Sequence, residues 1–195
     1  MAVEYPDWLQ DLHVRRPDEN AGRHIARIVR GLQGISLTHE RERLEALFLA
    51  NETAERAALV ASMRTNCATT AIAVICLAGA PPELRRLLSP RQIGDAMTVL
   101  REDCSRARLP GSQWQRLRPG WLMAYWSGNG NNAHVEWCLQ EPDAQGVAFH
   151  GGGGRSDNAI TIDRGDIRWS WGRPLQEIYD PELLADNPAT LDNPY

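Results

Sequence analysis

Residues 118–154 read RPGWLMAYWSGNGNNAHVEWCLQEPDAQGVAFHGGGG. Three strand-like runs alternate with two clusters of turn formers. Residues 121–126, WLMAYW, are apolar throughout, as a strand covered on both faces must be. Residues 127–132, SGNGNN, are expected to turn, because glycine and asparagine tolerate positive φ. Residues 134–139 alternate: His134, Glu136 and Cys138 face one way, Val135, Trp137 and Leu139 the other. A second turn at 141–146 leads through Val147, Ala148 and Phe149 to His150 and four glycines, 151–154. A half-buried strand ordinarily turns apolar groups to the core. This one offers an imidazole, a carboxylate and a thiol on one face, and the next strand ends in a second imidazole. Such a face requires a partner, and the candidate is Cys67.

Cys67 lies in residues 64–80, RTNCATTAIAVICLAGA. Asn66 is a natural N-cap, which makes Cys67 the first residue inside a helix that Gly79 and the Pro81-Pro82 pair end. Small and apolar side chains all round imply a helix buried on nearly every side, the central one of the fold. A helix N-terminus favours the thiolate form of cysteine. Free cysteine is also a common core residue, so the helix alone decides nothing. The histidine-bearing strand downstream tips the reading toward chemistry. Cys76 and Cys104 are assigned to packing.

The 195 residues suit one domain with a small helical extension, and 43% hydrophobic content with seven tryptophans excludes a disordered chain. A net charge of -4 gives no electrostatic reason to expect nucleic acid as a partner. The longest apolar run, 68–80, is too short to span a bilayer, so no membrane partner is expected. The N-terminus lacks a basic start followed by an apolar segment, so the expected place of synthesis is the cytoplasm without general secretory export. Reduced thiols are the corresponding default for the four cysteines.

Residues 1–35 read as a lead-in with a short helix around 24–29, broken by Gly31 and Gly34; His13, His24 and His39 are expected to be solvated. Residues 37–63 carry two helical patterns. Ser89-Pro90 opens another over 91–108. After the glycines, 159–163 alternates as a strand, Arg164-Gly165 turns, and 166–171 is a further strand or extended edge. Residues 175–184 are expected to carry a last helical turn and 187–195 a loose tail. The expected fold class is α+β: N-terminal helices, then a central cysteine-bearing helix packed on an antiparallel sheet. The units are a helical lead-in (1–35), a catalytic domain (36–186) and the tail (187–195).

A thiol at the start of a buried helix, with a histidine on a later strand and a polar group on the next, is the layout of papain-like cysteine hydrolases. Cys67, His134 and His150 stand in that order. The chain here resembles the NlpC-type cell-wall peptidases, over roughly residues 60–165. The family's Asp-Cys-Ser-Gly helix start is matched by Asn66, Cys67, Ala68 and Thr69, of which only the cysteine is kept. Its Pro-Gly-Asp turn is matched by Pro119, Gly120 and Trp121. Its His-Val-Gly-Ile-Tyr strand is matched by residues 134–138, HVEWC, and its Ile-His-Ala segment by Ala148, Phe149, His150 and Gly151. The resemblance implies a papain-like fold and hydrolysis of amide bonds in peptidoglycan stem peptides through a thioester, with no cofactor. Without a signal peptide, such an enzyme is expected to reach the wall by a specialised secretion system, by phage lysis, or not at all; an immunity or secretion protein is the further partner such a route would bring.

In this reading Cys67 is the nucleophile, His134 the base, and backbone amides around Cys67 part of an oxyanion site. Two groups compete to orient His134. Glu136 shares its face but sits two residues along the same strand, roughly 6.6 Å away by strand rise, beside the ring rather than behind it. His150, on the adjacent strand, is therefore assigned as orienter. Arg155, Arg168 and Arg173, with Trp169 and Trp171, are assigned to a substrate rim, since guanidinium binds the free carboxylates of stem peptides. Two further readings stand beside this one: a transglutaminase-like or deamidating toxin acting on protein glutamine, and a non-catalytic binding module. Zinc sites favour close ligand pairs such as Cys-x-x-Cys, and the sequence has none; His134, Glu136 and Cys138 remain a conceivable one-strand ligand set.

Overall fold

A computed structural model describes residues 11, 12, 14–35, 67, 70, 71, 74, 78, 107–128, 133–153 and 159–182. The helices expected over 37–63 and most of 91–108, the turn at 129–132, Gly154 and the tail from 187 lie outside them. Within the described residues the fold is α+β, with a mostly antiparallel sheet and few helices.

The first described helix, α1, is Ala21–Gly31. Asn20 caps it, its side chain accepting from Arg23 N at 2.8 Å. Ile25, Ile28, Val29 and Leu32 form one buried stripe at helical spacing. Burying each such side chain is worth roughly 1.5–3 kcal/mol. His24, expected in solvent, is instead buried on α1, with its Nε2 2.8 Å from the Leu12 carbonyl. Burial lowers its pKa from the ordinary 6.5. A neutral imidazole satisfied by one carbonyl is a tolerable core residue, which the sequence pattern did not distinguish from a solvated one.

Seven strands follow: β1 (Arg108–Pro110), β2 (Leu122–Tyr125), β3 (His134–Cys138), β4 (Val147–Gly152), β5 (Thr161–Asp166), β6 (Trp169–Ser170) and β7 (Arg173–Tyr179), with a 3-10 helix, Gly111–Arg116, after β1. Their order is β1-β7-β2-β3-β4-β5, with β6 paired to β7, and every strand pair is antiparallel. Two expectations fail here. Of the stretch 175–184 expected to carry a helical turn, residues 175–179 are strand and helix begins only at 181, because β7 pairs with β1, β2 and β6 and so satisfies its backbone through neighbours. Arg164 and Gly165 lie inside β5, opposite Phe149 and Ala148, and the chain turns later, at Ile167 and Arg168.

The alternation of β2 and β3 divides the core in two. Leu122, Ala124, Val135 and Trp137 face α1 and, beside it, Cys67, Ala71 and Val74. Cys67, Thr70, Ala71 and Val74 are all helical and buried, at the spacing of one helix face. Met123, Tyr125 and Cys138 face the other way, against Leu117, Ala148, Ile167 and Ile178. Glycines 151–153 are packed closely against their neighbours. Gly151 and Gly152 belong to β4, and a Cβ on Gly153 would lie 2.0 Å from Thr70 Oγ1. The Cys67 helix therefore sits directly on this backbone. Among the described residues no helix is long and apolar enough to cross a membrane.

The N-terminus of α1 is fixed by a similar approach. Gly120 has φ +85, and a Cβ there would lie 1.9 Å from the Gly22 carbonyl oxygen. Its amide donates to Cys138 O at 2.7 Å, so it cannot shift without breaking the entry to β2. Gly120→Ala is expected to lower stability by about 3 kcal/mol or more, read by chemical denaturation, through left-handed strain plus the clash.

Candidate active site

β3 is the floor of the site. It lies between β2 and β4 and is covered on both faces, so His134 and Glu136 are buried despite their polarity, each 6% exposed. A buried carboxylate is tolerable only when donors meet its oxygens. Glu136 has them from three strands. His134 Nε2 is 2.8 Å from Oε1, Ser170 Oγ donates to Oε1 at 2.9 Å, and His150 Nδ1 is 2.7 Å from Oε2.

The charges follow from this geometry. Burial pushes the Glu136 carboxyl up, but the bonds from His134 and His150 outweigh it and hold the group at about 2. Burial pushes His134 down, but hydrogen bonds to Cys67 and Glu136 outweigh that and raise it to about 9. At neutral pH the carboxylate is ionised and His134 is an imidazolium. With Nε2 held on Glu136, the ring's other nitrogen, Nδ1, is the one left for the Cys67 sulfur. That assigns the tautomer: when neutral, the ring keeps its proton on Nε2 and turns a lone pair to the thiol.

Cys67 and His134 are thus brought into hydrogen-bond contact from a helix and a strand far apart in sequence. The assignment of His150 as orienter requires correction. β3 and β4 pair with Cys138 opposite His150, four residues along β3 from His134, or roughly 13 Å by strand rise. His150 does not meet the His134 ring. It binds the far oxygen of Glu136, and Glu136 binds the ring. The two-residue offset that argued against Glu136 is spanned because both side chains are long and lean together along the same face.

The rim residues separate. Arg168 is already engaged, in a bidentate pair with Asp166 (2.7 Å and 2.7 Å) and 5.7 Å above the Trp114 ring. Arg173 Nη1 donates to the Trp171 carbonyl at 3.4 Å. Trp169 and Trp171 are each 57% exposed. Trp171 stands over His134, its ring 5.5 Å from the imidazole and tilted by 43°. Tyr125 flanks the same imidazole at 6.3 Å, its hydroxyl donating to the Ile167 carbonyl at 2.9 Å. Arg155, Asn66 and Ala68 lie outside the described residues, as do Cys76 and Cys104.

Ser170 was not foreseen. Its sequence signal is a small hydroxyl between two tryptophans in WSW, which alternation places on the face opposite both rings. Cys138 takes no part in the network: its thiol donates to the Gln140 carbonyl at 3.0 Å, and burial pushes it up to about 12. Among the described residues no group of three His, Cys, Asp or Glu side chains is disposed to hold a metal ion.

The loop that joins β6 to β7 is two residues long. Ser170 pairs with Arg173 across it, and Trp171 (φ 53) and Gly172 (φ 74) both have left-handed backbone. Such a hairpin ordinarily takes asparagine, aspartate or glycine at its first position. Trp171 bears a strain of about 1–2 kcal/mol instead, and its contact with His134 is the visible offset.

No protein-family model, curated protein or solved structure matches this chain.

Two outcomes are expected. Glu136 contributes stability fully above its unfolded value of 4.5, and loses it as pH falls toward 2. His134 contributes fully below 6.5, and loses it as pH rises through 9. Unfolding free energy measured across pH should therefore be greatest near 4.5–6.5 and fall on both sides, and Glu136→Gln should flatten both slopes. Trp171→Gly should change stability by less than about 1 kcal/mol, because relief of strain offsets the lost ring contact. A loss of several kcal/mol in denaturant titration would show that the ring is a packing element instead.

Proposed function

We propose that this chain is a papain-like, NlpC-type cysteine amidase that cuts amide bonds in peptidoglycan stem peptides. The observation that carries the reading is the Cys67–His134 contact, with the imidazole's remote nitrogen fixed on the buried carboxylate of Glu136. A nucleophile, a base and an orienting group in that relation are what acyl transfer through a thioester requires. The stem-peptide substrate rests on the resemblance of residues 60–165 to that family.

The proposed reaction balances on these groups. The Cys67 sulfur attacks the amide carbonyl carbon, its proton resting on His134 Nδ1. The C–N bond breaks as that proton passes to the departing amine nitrogen, leaving an acyl group on sulfur. Water then attacks the thioester carbon, gives a proton to Nδ1, and the C–S bond breaks to release the acid and regenerate the thiol. Glu136 keeps the Nε2 proton in place throughout and stabilises the imidazolium at each stage.

Trp169, Trp171 and Arg173 form the proposed substrate rim, with Arg155. Arg168 is withdrawn from it, because its guanidinium is already committed to Asp166 and Trp114.

The test is digestion of purified sacculi with mass analysis of the released muropeptides. The wild-type chain should release new amine termini. Cys67→Ala and His134→Ala should abolish release while retaining the folded spectrum, and Glu136→Gln should reduce it by about two orders of magnitude or more. Unchanged sacculi at every pH would sink the peptidoglycan reading, and ammonia release from protein glutamine would then move the reaction to deamidation.

A further inference from the structure

Glu136 has more donors than orientation of one imidazole demands. The His134 Nε2–H alone would fix the tautomer. A buried carboxylate with only that ring opposite would, however, concentrate its charge on the imidazolium and make its proton hard to release. Ser170 and His150 change that balance. Ser170 Oγ shares Oε1 with His134, and His150 Nδ1 takes Oε2. The two come from β6 and β4, elements with no local reason to meet the carboxylate. Ser170 reaches it because the hairpin closes through the left-handed Trp171, which turns the hydroxyl inward while the indole covers His134.

We propose that Ser170 and His150 are positioning residues that act through Glu136, dividing its charge so that His134 can surrender its proton to a leaving group. The assignment rests on the reading of Cys67 and His134 as the reacting pair.

Among the described residues, Glu136 is an ion that both imidazoles bind. His134 faces Cys67 from the helix, Tyr125 from β2 and Trp171 from the hairpin. Tyr125 stays neutral, its phenol pushed up first by burial and then by Glu136, Cys138 and Asp166. His150 lies opposite Cys138 on β3 and Asp163 on β5. The Cys138 thiol remains protonated. Removal of a donor from Glu136 therefore returns charge to the bond with His134. The imidazole should become more basic, the reverse of what loosening of the site would produce.

The experiment reads the imidazole without any substrate. Nitrogen-15 NMR of the full chain would follow His134, assigned with a His134→Gln control, from about pH 5 to about pH 11. The wild-type midpoint is expected at about 9. Ser170→Ala should raise it by about half a unit or more, and Ser170→Thr, which keeps the hydroxyl, should restore it. His150→Leu should raise it likewise, and His150→Gln, which keeps a donor, should stay near wild type. A midpoint unchanged or lowered in the folded Ser170→Ala and His150→Leu variants overturns the proposal. Should one of the two not fold, the other decides. A rise accompanied by uncut sacculi would leave the assignment standing and remove only the peptidoglycan substrate.

Discussion

The ionised carboxylate of Glu136 sits in the middle strand of the sheet, shielded from water, where an unpaired charge would be prohibitively unfavourable. Its three donors come from β3, β4 and β6, so the carboxylate is satisfied only when these strands have met in the observed register. A slip of β4 by one residue would turn His150 to the other face of the sheet and strand one oxygen. The network consequently specifies the fold as much as it serves the site. It also explains why β3 tolerates a charged residue where a buried central strand would ordinarily carry only apolar ones.

Around that centre the two faces of β2 and β3 pack against different layers, and the face that carries Glu136 is itself apolar around the network. One face receives α1 and the Cys67 helix, with Gly151 and Gly153 giving the close approach that a side chain would block. The other face receives the connection from β5 to β7, including the Ser170–Trp171 hairpin. Cys67 comes from one layer and Ser170 from the other, and His134, at the start of the central strand, is where the two layers come within reach of a single side chain. The exposed Trp171 ring lies over that same imidazole, so one strained hairpin supplies both a donor to Glu136 and a wall over His134.

Much of this architecture is legible along the chain. The two strands 122–125 and 134–138, the turn at 141–146 and the helix over 24–29 follow from alternation, glycine and asparagine clusters, and helical spacing. The pairing of an early cysteine with His134 follows from residue type and order. Local pattern misled where neighbours override it. Gly165 reads as a turn but lies in a strand because β4 supplies its partners. Residues 175–184 read as carrying a helical turn, but 175–179 belong to a strand that satisfies its backbone with three others, and helix begins only at 181. His24 reads as a surface residue, although one carbonyl, from Leu12, makes it a core residue.

The site divides along the same line. The sequence by itself determined which side chains could do chemistry: a thiol at a helix start, and an imidazole and a carboxylate sharing one face of a strand, because side-chain type and a period of two are local properties. It did not determine which of Glu136 and His150 holds His134. That choice depends on strand register, set by the whole sheet, which puts His150 opposite Cys138 and so within reach of Glu136 but not of His134. Nor did it reveal Ser170, separated from Glu136 by 34 residues, because hydrogen-bond partners so distant in the chain are fixed only when a hairpin folds across the sheet.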